Sequence, residues 1–315
     1  MTSWDERDSA DLARRRSLLS LPMIPLRRDA RRWLQPEGWP DMGRWVYDPV
    51  AVGVGPDGRV LSLVRDRERG DRLLLDRTDA AAPPVVLDGA VDATFVQPLP
   101  GGRVLLVAAR ARRRETNAQV WDTDGRLVTA GFVGDAIEHV LTTPAGAVWI
   151  AYFDEASDDI STRRLVRFDE DLHIRWSYPG SERGLPGLFD VYALNVSGEA
   201  AVCYAYTEFH LVRAEGDAAT DLGATGVTGA AAVLVDGDRG AFVGGYGADF
   251  DVVTPFRLCH DGIEVGEPLG RLVMPDGREL RRRRLTARGG ELHVVGEHRL
   301  LRQVSLDDLL DGPRH

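Results

Sequence analysis

The chain has 315 residues, 43% hydrophobic and 28% charged, with a formal net charge of −10. This is the composition of an ordinary folded domain, and its acidity excludes a general affinity for nucleic acid or anionic membrane, since both need a basic surface. All 39 basic residues are arginine, which also excludes Schiff-base lysine chemistry and a P-loop lysine.

Residues 1–16 are densely charged and read as a tail, frayed or forming one short helix. The apolar run LLSLPMIPL (18–26) is short and broken by two prolines, so it is neither a signal peptide nor a membrane span. A cytoplasmic protein is expected. Residues 17–28 suit an edge strand, where Pro22 and Pro25 are tolerated. Residues 31–49, rich in Trp, Pro and Gly, read as an irregular segment that packs its aromatics outside the first repeat.

From Val50 onward one pattern recurs: an apolar strand, a glycine turn, then a second strand rich in Val, Leu or Trp. It begins near residues 50, 93, 137, 191, 230 and 283, with turn glycines at Gly58, Gly102, Gly146, Gly198, Gly237 and Gly290. A third and a weaker fourth strand follow, as in AQVWDTDG (118–125) and RLVTAGFVG (126–134), with Asp-Gly hairpin turns at 124–125 and 261–262. A strand repeat of roughly 40–50 residues is the signature of a β-propeller.

The expected fold is all-β: a single six-bladed β-propeller of four-stranded blades over residues 17–310, followed by a short tail at 311–315. The last repeat lacks a strand, so the N-terminal strand at 17–28 is expected to close the ring and cover its open edge. Seven blades are the alternative if residues 263–282 form an extra hairpin through Pro275-Asp276-Gly277. Cys203 and Cys259 fall in strands, are too few for a disulfide framework, and read as buried thiols.

The segment GDAIEHVLTTPAGAVWIAYFDE (134–155) resembles a family of uncharacterised bacterial propeller-like proteins common in actinobacteria. The resemblance is carried by Gly134, Asp135, Ile137, Glu138, Gly146, Trp149, Tyr152, Phe153, Asp154 and Glu155. The strand from Tyr192 to Val196, Leu211-Val212-Arg213 and Gly244-Gly245-Tyr246 add to it. The pattern departs at Ala156, where the family continues with Gly. The resemblance implies the propeller fold and no particular chemistry.

In a propeller, residues just before the first strand of a blade and just after the second crowd one mouth of the central channel. This gives Asp92, Glu138, His139 and Asp190 at strand starts. Arg65, Arg110, Asp154, Glu155 and Glu208 stand at strand ends. The ring is mostly acidic and suits a cationic ligand or a divalent cation such as calcium, with Glu138, Asp154 and Asp190 as the metal candidates. The bland reading is that these are solvated loop carboxylates of an acidic protein. Asp154, Glu155, Asp158 and Asp159 lack the spacing of an EF-type calcium loop, no His-Glu-x-x-His occurs, and no Gly-x-Ser-x-Gly elbow is present. The basic runs Arg110–Arg114 and Arg281–Arg284 are best read as partners of surplus carboxylates. Two functions fit. The first is a non-catalytic binding scaffold for a protein or small polar ligand, monomeric and without a cofactor. The second is a metal-assisted hydrolase or lactonase using the channel carboxylates.

Overall fold

The computed structural model describes residues 4–28, 47–66, 70–79, 82–112, 114–280, 284–295 and 301–311. The Trp-rich segment from 31 to 46 and Arg281–Arg283 lie outside the described residues.

The strands form consecutive antiparallel groups, the first four folded as simple meanders. The first group holds Tyr47–Val54, Val60–Asp66, Arg72–Asp76 and Val85–Leu87. The second holds Phe95–Pro98, Val104–Val107, Ala118–Trp121 and Leu127–Gly131. Ile137–Thr142, Val148–Tyr152, Leu165–Phe168 and Ile174–Ser177 make the third. Asp190–Ser197, Ala200–Tyr206, His210–Glu215 and Ala218–Ala224 make the fourth.

The fifth group starts with Ala232–Asp236, Arg239–Val243 and Val252–Cys259; both Gly262–Val265 and Gly270–Val273 pair with its third strand. The last comprises Arg284–Arg288, Glu291–Val295 and Leu301–Ser305. One parallel partnership, Asn195 with Ala287, links the fourth group to the last.

The inner strands explain why the sequence shows unbroken apolar runs rather than alternation. Val148–Tyr152 and Val104–Val107 are buried at every position, as strands must be when both faces of their sheet are covered. The outer strand Leu127–Gly131 is mostly exposed. Apolar clusters step from sheet to sheet. Leu61 and Leu63 share a cluster with Val104 and Leu106, Val107 with Val148, and Trp149 with Leu194, and the Tyr204 and Phe242 rings lie 5.3 Å apart. Sheets stacked face to face around a common centre are the arrangement of a β-propeller.

The turn glycines behave as the repeat requires, with left-handed φ from +57° to +91° at Gly58, Gly102, Gly146, Gly198 and Gly237. In the last group the left-handed residue is Gly289, at φ +51°, rather than Gly290. Residues from Ile263 to Leu280 do not build a separate sheet. They extend the fifth group, and the Pro275-Asp276-Gly277 turn joins only the single bridge between Val273 and Glu279.

In the N-terminal segment the helix matches one of the two readings of the sequence, and the strand that follows departs from expectation. Trp4–Leu18 is a helix, and its second half docks on the fifth group. Arg15 donates to the buried Asp251 carboxylate at 2.6 and 2.8 Å and to Glu279 at 2.8 Å, with its guanidinium 4.4 Å from the Phe250 ring centre. Leu18 is buried with Ala248 and Val252. The single edge strand expected over 17–28 is split. Met23–Pro25 runs parallel to Gly270–Val273, whereas Arg27–Arg28 pairs antiparallel with Gln303 and Arg302. Leu306–Asp311 is a short helix with Leu306 and Leu309 in the core, and the expected tail beyond residue 311 lies outside the described residues. Cys203 is buried as expected, but Cys259 is exposed, because its strand runs out to the rim of the fifth sheet.

Candidate functional site: a central cavity with one stoppered end

Inner strands of a propeller run in the same direction, so their ends collect at opposite mouths of the channel. The finishing ends are tied together by Arg288. Its Nε donates to the Val54 carbonyl at 2.5 Å, Nη1 to the Thr142 carbonyl at 2.8 Å, and Nη2 to Gln97 Oε1 at 2.7 Å. These are acceptors from the first, third and second groups. Burial pushes the guanidinium pKa down to about 10, which leaves it charged at neutral pH. Asn195 makes a second tie, donating to the carbonyls of Val233 and Gly289 and accepting from the Gly289 N–H at 2.7 Å.

The starting ends are open. A cavity of about 340 Å³ is lined by Phe95, Gln97, Glu138, His139, Tyr192 and Arg284, among others. A second, of about 310 Å³, adjoins it through Glu138, Tyr192 and Ala231 and reaches Asp190, Phe153 and Gly229. His139 Nε2 donates to the Tyr192 carbonyl at 3.2 Å, which leaves Nδ1 as an acceptor. Burial lowers the His139 pKa and Glu138 only partly offsets it, so the ring is neutral at neutral pH.

Asp190 is the most perturbed carboxylate. Burial first, then the charges of Asp154 and Glu138, raise its pKa to about 6 against the opposing pull of Arg164. These three carboxylates therefore share one electrostatic neighbourhood. Arg164 donates to the Phe153 carbonyl at 2.6 Å and lies 5.6 Å from the Phe189 ring centre.

Aromatic rings complete the mouth. Tyr192 stacks on Tyr206 at 6.1 Å and meets Tyr246 edge-on at 5.9 Å, and the Tyr246 hydroxyl donates to the Tyr192 hydroxyl at 2.6 Å. Phe189 and Tyr246 are 49% and 48% exposed. Gly229 permits this packing, since a Cβ there would lie 2.4 Å from the Tyr246 ring at a φ of +73°.

Of the residues expected from sequence, Glu138 and His139 line the central cavity, Asp190 lines the adjoining one, and Asp154 acts on Asp190 through its charge. The others line neither cavity. Asp92 is exposed and pairs with Arg72 at 2.9 Å. Glu155 pairs with Arg110, which also reaches Asp135 at 3.3 Å. Glu208 sits in an exposed turn 3.6 Å from His210. Arg65 is exposed, in register with Asp48 and Arg72. The arginine that opposes the charge around Asp190 is Arg164, while Arg110 is engaged with Glu155.

Asp158 accepts from the N–H groups of Asp135, Ile160 and Ser161 and from the Ser161 hydroxyl, so it shapes a turn. Among the described residues no three His, Cys, Asp or Glu side chains gather closely enough to hold a metal ion. Glu138 and Asp154 act on Asp190 through their charges.

Asp190 yields a stability prediction with a definite sign. Its folded pKa lies above the 3.8 of a free carboxyl, so the native state binds the extra proton and stability falls as pH rises from about 4 to about 6. Asp190→Asn is expected to be more stable than the parent above pH 6, by about 1 kcal/mol after allowance for solvent screening. The two proteins should match below pH 4. Urea denaturation at pH 4 and pH 7.5 checks this, and equal midpoints at pH 7.5 would refute it.

No protein-family model matches the sequence, and no curated protein does. Several solved structures are similar at low identity. Virginiamycin B lyase from Staphylococcus aureus is 12% identical, with 82% of this chain and 84% of that chain covered and a TM-score of 0.48. The β-propeller domain of the Trilobed protease from Pyrococcus furiosus is 13% identical over 78% of this chain and 77% of that one, with a TM-score of 0.42. AztD from Citrobacter koseri is 11% identical over 82% of this chain and 68% of that one, with a TM-score of 0.47. No helix among the described residues is long and apolar enough to cross a membrane.

Proposed function

We propose that the chain is one six-bladed propeller acting as a non-catalytic binding scaffold, with its ligand entering the open mouth of the central cavity. In this reading Arg27–Arg28 supplies the outer strand of the sixth blade and closes the ring. The observation that carries the binding role is the asymmetry of the channel. One end is stoppered by Arg288 and Asn195, and the other opens onto Glu138, His139, Asp190 and Tyr192. A cavity with an apolar wall and a few convergent polar groups is the usual form of a small-molecule site. The hydrolase alternative would need a metal ligand set, and the described residues offer none. A small polar ligand, a monomeric chain, a cytoplasmic setting and kinship with actinobacterial-type propellers complete the proposal.

The test is a thermal-shift panel of small polar compounds of either charge on the full chain, repeated with Ala231→Trp, which fills the wall shared by both cavities. Stabilisation that disappears in Ala231→Trp is expected. No stabilisation by any compound, or stabilisation indifferent to the substitution, would overturn the reading.

A further inference from the structure

The two cavities differ in what they offer. The deeper one is mixed in charge, with Glu138 offset by Arg284, whose Nη1 donates to the Thr94 carbonyl and whose guanidinium lies 4.6 Å from the Phe95 ring centre. The outer one has Glu138 and Asp190 in its wall and Asp154 nearby, against one arginine, Arg164. That arginine is engaged with the Phe153 carbonyl and the Phe189 ring. Two rings, Phe153 and Tyr192, share the wall with Val191 and small residues, and Tyr206 and Tyr246 pack against Tyr192.

Surplus carboxylate combined with aromatic faces is the chemistry that recognises an organic cation. The ring quadrupole attracts a diffuse positive charge, and the carboxylate fixes it. A metal ion would want several oxygen donors converging on one point, which the described residues do not provide. An anion would meet three carboxylates. Large rings left half in water around a concave opening also need covering, and an alkylammonium ligand covers them with its methyl groups.

We propose that the outer cavity binds a small organic cation, with its ammonium group placed between the Asp190 carboxylate and the Tyr192 ring. This proposal rests on the binding reading above and adds the class of ligand. Burial is the main cause of the raised Asp190 pKa, and the charges of Asp154 and Glu138 that add to it would also favour a cation there. Facing groups set the pH response. Glu138 and Asp154 add negative charge, Arg164 opposes them, and burial keeps the His139 ring neutral and the Tyr192 hydroxyl protonated at neutral pH. Cation affinity should therefore rise as pH increases from 5.5 to 7.5 and Asp190 ionises.

The experiment is calorimetric titration of the full chain at pH 7.5 with three probes of one shape. These are choline, its neutral isostere 3,3-dimethyl-1-butanol, and the anion 3,3-dimethylbutanoate. Choline is expected to bind at least tenfold more tightly than the isostere, and the anion not at all. Asp190→Asn and Tyr192→Leu should each weaken choline about tenfold, with cooperative melting confirming that both variants fold. An isostere binding as tightly as choline, or a preference for the anion, would overturn the cation assignment while leaving the scaffold reading intact. Calcium chloride binding that is lost in Asp190→Asn, without choline binding, would also overturn it, in favour of a metal. Silence from all three probes sinks the cation assignment; silence from the thermal-shift panel as well sinks the scaffold reading.

Discussion

Trp149→Ala is expected to lower stability by about 3–5 kcal/mol, the usual cost of truncating a large aromatic in a packed core. The indole is fully buried, between the third and fourth strand groups. Strand alternation points Trp149 to the opposite face from Val148 and Ile150, and all three are inaccessible, so both faces of this sheet are covered. Its ring meets Trp176 edge-on at 5.6 Å, lies 5.6 Å from the Arg167 guanidinium, and its Nε1 donates to the Glu199 carbonyl at 3.3 Å. Alanine removes the contacts of two neighbouring sheets and leaves the Glu199 carbonyl without its donor. Urea denaturation followed by circular dichroism measures the loss. An unchanged midpoint in a folded variant would mean that the adjacent sheets do not depend on each other there.

Arg288→Met is expected to cost about 3 kcal/mol. Three buried acceptors lose their donor, and each stranded polar group costs about 1–3 kcal/mol. Part of this is returned, because the guanidinium is itself held at a desolvation cost, as its lowered pKa shows. Methionine has similar length and no charge, so the comparison isolates the hydrogen bonds. Arg288→Lys should recover only a minority of the loss, since an ammonium cannot span three acceptors that a planar fork reaches together. Denaturation midpoints of the two variants decide it. Full stability in Arg288→Met would show that the last strand group does not need its tie to the first three.

The repeat was legible because it rests on local chemistry. Left-handed glycines between two apolar strands have to appear in sequence, and all but one of the expected turn positions hold. The placement of Glu138, His139 and Asp190 followed from strand register alone. Groups contributed from outside that register were not legible. Arg164 acts at the mouth because a left-handed residue turns it there, at φ +65°. Arg288 sits at the far end of an inner strand, and nothing in an Arg-rich sequence separates it from its solvated neighbours. The aromatic wall joins Tyr192 to Tyr206 and Tyr246, which come from two strand groups and meet only after packing. A short helix was one of the two readings of the N-terminal segment, but its polar composition hides the feature that anchors it, the pairing of Arg15 with a carboxylate that lies far along the chain and is buried.

The pairing of Arg27–Arg28 with the strand Leu301–Ser305 also bears on synthesis. The nearby ion pair of Arg27 with Asp308 joins residues 281 positions apart. Arg27 is synthesised long before Asp308. The earlier sheets can form in order during elongation, but this pairing must wait until Leu301–Ser305 has emerged. In the interval Arg27–Arg28 has no strand partner, although Met23–Pro25 can already pair with Gly270–Val273. Expression of this protein should therefore be sensitive to changes in the strand Leu301–Ser305, out of proportion to the small area that strand covers.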